Sequence, residues 1–420
     1  MMVPTTLVRI TRFYLLTALG YLTLTLAVAL VSAAGPSFLP PIDSSLFWYV
    51  GVLGWVVLPI MGAFYQFFPT LQGQDLHMER WTFPQYGLIN LGLLGMLGSI
   101  LLGNKPGLGV FTAVYAVGAF LLAFILLGQN LTRSKVTLTL RFFMAALVYL
   151  LAGVTILTLI NLGLTPIGRP VVSHLVLIGW AVMAIFGAQY IMVPMLQLKN
   201  LAWEPLANVQ FYVANLGVLG LAAGFLGGGT PVIAAGGALE LAAILMFVAV
   251  IWRSVSTGPS RLAKLDLSVM FFLAGDGHLV LVALLGITMA LFSLNLRTVH
   301  MHLALIGVLT NTIIGAMYHI LPFLVWWQTY AGKVGLERVP LLKELFHEPL
   351  ARKSFYLWNG SLWGMIAGFV SGLNALVAVF GGIQLVLAVI LLAQMLHLVA
   401  GRTNQDVPQT PQGSTLNLTA

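Results

Sequence analysis

"HLALIGVLTNTIIGAMYHILP", residues 302–322, aligns without a gap on "HLVLIGWAVMAIFGAQYIMVP", residues 174–194, and on "YVGVLGWVVLPIMGAFYQFFP", residues 49–69. Gly54, Gly179 and Gly307 coincide, as do Gly62, Gly187 and Gly315. Tyr65, Tyr190 and Tyr318 form a third column, and Pro69, Pro194 and Pro322 a fourth. The spacing is 125 and then 128 residues. Four coincident columns at near-constant spacing are the mark of an internal repeat. The preceding segments echo it, with "FYL", "FFM" and "FFL" beginning at Phe13, Phe142 and Phe271. Small residues at such positions let membrane helices approach closely. The prolines are expected to end each span at a loop.

Composition fixes the medium. Of the 420 residues 60% are hydrophobic and 7% charged, with a mean hydropathy of +0.99. Soluble domains carry about 25% charged residues. The apolar runs are about 18–25 residues long, enough to cross a ~30 Å hydrocarbon core. The expected fold is an all-α membrane protein of twelve transmembrane helices in three pseudo-symmetric four-helix repeats, covering about 11–128, 141–253 and 267–399. Residues 1–400 then form a single membrane domain, and 401–420 a polar, disordered inner tail. The first apolar run reads as a span rather than a cleavable signal. Of 19 Lys and Arg residues, all but Lys105, Arg169 and Arg297 fall on one side of this topology. The positive-inside rule puts that side, with both termini, in the cytoplasm, and a bacterial inner membrane is the expected location. The loops account for the net charge of +8, so no nucleic-acid partner is implied. There are no cysteines, which excludes thiolate iron–sulfur ligation, disulfides and thioether haem attachment.

Polar groups inside such spans need a reason. His300 and His302 are two residues apart, so about 200° of helical rotation separates them. They face opposite sides of one helix. One metal ion does not take both, whereas two planar cofactors flanking the helix take one each. Hydrogen bonds to neighbouring helices are the alternative. Asp276, in "GDGHLVLV", and Glu240, in "GGALELAAIL", are the candidates for proton handling or for buried polar packing contacts. "GFLGGG", 224–229, lacks the Lys of a phosphate loop and reads as a tight turn. Trp203, Trp326, Trp327 and Trp358 read as interfacial anchors.

With the H-x-H pair opening the tenth span, the chain resembles subunit I of the haem-copper oxidase superfamily, particularly the nitric oxide reductase and cbb-type branches. The resemblance implies twelve helices in three repeats. It implies that His300 is the proximal ligand of a high-spin haem and His302 an axial ligand of a low-spin one. His174 occupies the place of one ligand to the non-haem metal. The chain also departs from that pattern. The seventh span, "FYVANLGVLGLAAGFLGGG", has no histidine, so non-haem copper or iron is not expected. Near the start of the second span, "SSLFWYVG" offers Trp48 or Leu46 where the resemblance calls for a histidine, with Tyr49 the nearest residue of ligating type.

The resemblance therefore implies a divergent, haem-binding protein with at least one haem of b type. It would have a respiratory electron-transfer role, with a cytochrome or other respiratory subunit as partner and without a complete oxygen- or NO-reducing centre. A single haem on His300, with His174 on its distal side, is the leading expectation. Two further classes are a redox-inactive scaffold, assembly or gas/haem-sensing protein on the same fold, and a proton or solute transporter.

Overall fold

A computed structural model describes residues 5–34, 44–128, 136–257, 262 and 264–401. The tail expected at 401–420 lies outside the described residues but for Gly401. Among the described residues the secondary structure is helical, apart from one isolated bridge between Val334 and Glu337. Among the described residues nine helices are long and apolar enough to cross a membrane. One of these, 204–256, folds back on itself at the glycine turn, where Gly227 and Gly229 adopt φ of 134° and 73°. The Thr82–Leu101 and Glu348–Ser371 helices are not among the nine. The protein is a multi-pass membrane protein.

The three aligned segments form the centre. Most of the apolar stretch is buried in the 45–72, 169–196 and 297–333 helices, at 83%, 78% and 72%, against 22–50% in the other six. The outer helices turn Leu94, Val117, Phe120, Val148, Leu216 and Val386 outward, a surface suited to lipid rather than water. Around the centre, sequential helices pack as neighbours. Thr82–Leu101 lies on Lys105–Leu127, Glu204–Ala223 on Gly229–Ser256, and Glu348–Ser371 on Asn374–Val399. Thr5–Ala34 packs on Asn374–Val399 and closes the ring.

Each central helix widens to π-helix at the same place: Tyr49–Val57, Leu175–Val182 and Leu303–Thr310. Each widened stretch contains one glycine of the first column. A methyl at Gly54 would come 2.8 Å from Tyr21, at Gly179 2.6 Å from Tyr149, and at Gly307 3.0 Å from His278. The second column behaves alike, with Gly62 under Tyr14 at 2.4 Å, Gly187 under Phe142 at 2.9 Å and Gly315 under Phe271 at 2.8 Å. The residue matching Phe142 and Phe271 is thus Tyr14, one beyond the expected Phe13, which is 46% exposed.

Polar contacts recur with the same spacing. Thr11 Oγ1 donates to Gly62 O and Thr139 Oγ1 to Gly187 O, both at 3.0 Å. Tyr65 donates to Gln85 at 2.9 Å and Tyr190 to Gln210 at 3.2 Å. Tyr21 donates to Asn90 at 3.1 Å and Tyr149 to Asn215 at 2.9 Å.

Two further expectations are corrected. Pro69, Pro194 and Pro322 lie inside helices, which run on to Gln72, Leu196 and Tyr330. Proline removes one donor, a loss that packed neighbours tolerate within a membrane bundle. Trp358 is not an interfacial anchor: it is 2% exposed, and its Nε1 donates to Ile306 O at 3.5 Å.

Gly62→Ala is expected to destabilise the detergent-solubilised protein by about 1–3 kcal/mol, the usual cost of overpacking. At Gly20 a methyl meets nothing within 4 Å. Gly20→Ala is expected to be neutral or to stabilise by up to ~1 kcal/mol. Equal losses at both sites in thermal unfolding would contradict the close-approach role.

Candidate ligand cavity

A cavity of about 710 Å³ opens between the Arg169–Val182 and Arg297–Thr310 stretches, the glycine turn, and the Gly229–Ser256 and Leu267–Phe292 helices. Its size falls in the ~300–1,000 Å³ range of small-molecule sites. Its wall is largely apolar, with Leu177, Leu221, Phe225, Ile233, Ile287 and Leu309. Its polar side chains are few: His174, His300, Glu240, Arg169, Arg297 and a handful of short hydroxyl and amide groups.

The helix starts explain the order of these groups. Arg169 and Arg297 are the first residues of their helices. His174 follows Arg169 by five residues and His300 follows Arg297 by three. At a rise of ~1.5 Å per residue the imidazoles lie roughly 5–8 Å deeper than the residues carrying the guanidiniums. Glu240 stands eleven residues beyond Gly229 on the helix leaving the glycine turn. That is roughly 16 Å along its axis.

His174 Nδ1 lies 2.8 Å from Pro170 O. A carbonyl only accepts, so Nδ1 carries the proton and the neutral ring keeps its Nε2 lone pair for a ligand. The ring lies against Phe225, with centroids 4.5 Å apart. His300 is half-buried, with its Nδ1 enclosed and its ring beside the Val282 backbone. The ring lies over Gly286, where an added methyl would come 3.2 Å from Cε1. A larger residue there would displace it.

His302 is not on the cavity wall. Its Nδ1 lies 2.7 Å from Thr298 O and its ring stands 4.4 Å from that of Phe369. This repeats the setting of His174: a carbonyl four residues back and one phenyl face. His300 and His302 thus occupy different surroundings on one helix.

Glu240 is 3% exposed, and neither carboxylate oxygen has a hydrogen-bond partner among the described residues. A Cβ on Gly217 would meet it at 2.7 Å, so only glycine leaves it room. The matching pair 125 residues earlier is Gly92 and Tyr115, which also touch. There the phenol reaches across and donates to Leu53 O at 3.2 Å. Asp276 lies elsewhere, 4% exposed, accepting from Gln189 Nε2 at 2.8 Å, with Oδ2 unpartnered. The structure thus brings His174, His300 and Glu240 to one cavity and leaves His302 and Asp276 outside its wall.

Among the described residues no three His, Asp or Glu side chains converge as a metal site. Trp48 Nε1 donates to Ser173 Oγ at 3.1 Å, and both residues line the cavity. Tyr49 is fully buried; its hydroxyl donates to Asn161 Oδ1 at 3.1 Å and accepts from Asn161 Nδ2 at 2.8 Å. Of the remaining histidines, His319 stacks on Phe323 with centroids 6.2 Å apart, and His347 Nδ1 caps its helix at Leu350 N.

The two arginines escaped the sequence reading. Their signal was present as "RPVVSH" and "RTVHMH": in both aligned helices an arginine stands five residues before the aligned histidine.

The chain is 29% identical over 295 residues to an uncharacterized protein of Aquifex aeolicus (strain VF5), spanning 68% of this chain and 72% of that protein. No protein-family model matches the chain.

Asp276→Leu is expected to cost about 1–3 kcal/mol, because the Gln189 amide is left buried without its acceptor. Adding Gln189→Leu is expected to restore part of that loss. A double-mutant cycle in chemical unfolding with no coupling would contradict the pairing.

Proposed function

We propose that this chain is a haem-binding membrane protein of twelve transmembrane helices in three four-helix repeats, with a respiratory electron-transfer role. The recurring glycine contacts, the three π-helical stretches and the recurring Thr, Tyr and Asn hydrogen bonds support the repeats. Counting Thr82–Leu101 and Glu348–Ser371 as spans, and 204–256 as two, completes the twelve. Sixteen of the 19 basic residues then face one side, which supports cytoplasmic termini and a bacterial inner membrane.

One observation carries the haem reading. Two of the three central helices bring His174 and His300 to the same apolar cavity. The residues fit the group. The Pro170 bond leaves Nε2 as the ligating nitrogen of His174, His300 reaches the same cavity, and the wall is largely apolar. Neutral imidazole is the common axial ligand of haem iron. His300 would hold the group, with His174 in the same cavity. Haem would supply a one-electron redox centre there. The apolar wall would exclude water, and Glu240 would offer the cavity a group able to hold a proton. A cytochrome or another respiratory subunit is the proposed electron partner.

A second reading is also drawn from Glu240. An unpartnered acid at the deep end of a cavity suits a proton or solute transporter. The reduced-minus-oxidised spectrum of the purified protein separates the two. The haem reading expects a haem spectrum of b type that His300→Ala removes or shifts strongly, with monodispersity and thermal stability retained. A colourless wild-type protein that takes up no added haem would sink it in favour of transport or a scaffold.

A further inference from the structure

We propose that Arg169 and Arg297 form a clamp for two carboxylates at the mouth of the cavity. Its ligand is amphiphilic and brings two acid groups to the mouth together. This rests on the haem reading only for the identity of the ligand: haem carries two propionates on one edge, and two fatty-acid or phospholipid anions present the same chemistry.

Three observations carry the clamp. Both arginines line the one cavity that also holds His174 and His300. They stand at matching places in the aligned helices, 128 residues apart, so the two guanidiniums approach the mouth from two separate helix starts. Neither forms an ion pair or a hydrogen bond among the described residues. Arg169 is instead held over the ring of Tyr49 at 5.6 Å, which orients it without using its donors. A guanidinium presents five donors in a planar fork that matches a carboxylate.

The depth order fits as well. The imidazoles lie roughly one turn below the arginine positions, about 5–8 Å. Acid groups on a ligand held by the imidazoles would need to extend only that far to reach the guanidiniums. The expected topology places only one other basic residue, Lys105, on this side, and it does not line the cavity. Two of the three cations on that side therefore serve a single opening.

The test uses the purified full-length chain in nanodiscs. Haem b, protoporphyrin IX, its dimethyl ester and oleate are titrated separately against wild type, Arg169→Gln/Arg297→Gln and Arg169→Lys/Arg297→Lys, followed by absorbance or tryptophan quenching. The clamp expects wild type to bind the free-acid porphyrin at least tenfold more tightly than the ester. The Gln double variant should lose that preference and the Lys pair should keep part of it. Because the acid–ester comparison is made on wild type, a misfolded variant does not hide the answer. Equal binding of acid and ester overturns the clamp and leaves the haem reading standing. Arginine-dependent binding of oleate without any porphyrin binding keeps the clamp and overturns the haem reading. Binding of none of these ligands overturns both.

Discussion

A π-helical turn loosens the backbone ladder in a place where water is scarce, and every carbonyl it frees must find a donor. Two of the three central helices meet that demand with side-chain donors. Tyr115 reaches Leu53 O, Trp358 reaches Ile306 O, and Thr310 bonds Leu305 O within its own helix at 2.7 Å. Trp55 in turn donates to Thr310 at 2.8 Å and ties two of the central helices together. The glycines within and beyond the widened stretches let the surrounding helices come close enough to supply these donors. Close approach and carbonyl satisfaction are therefore one constraint.

The cavity follows from the place where that pattern changes. Tyr115 fills the space beside Leu53. At the position 125 residues later stands Glu240, shorter than a phenol and without a partner, and Ile178, which matches Leu53, is part of the cavity wall. One substitution of type between matching positions separates a packed interface from an open one.

Much of this was legible in the chain. The four columns of Gly, Tyr and Pro located the three central helices, because close packing restricts residue size at fixed places. His300 and His302 were readable as facing different ways from helical pitch alone. The Phe13 register slipped by one because an aromatic run offers two neighbouring candidates, and only the contact with Gly62 selects Tyr14. The prolines misled because the rule that they end helices is calibrated on isolated segments, whereas here the helices continue under packing from all sides. The shared cavity of His174, His300 and Glu240 was not legible: three residues spread over 126 positions meet only through tertiary packing. Arg169 and Arg297 were passed over because charge at a helix start reads as topology before it reads as chemistry.

The contact between Thr5–Ala34 and Asn374–Val399 has a consequence for biogenesis. The two helices are separated by about 340 residues of chain. In vectorial insertion the earlier of the two enters the bilayer well before the later. The face that Thr5–Ala34 turns to its distant neighbour therefore meets lipid first and protein only afterwards, and its side chains must suit both solvents.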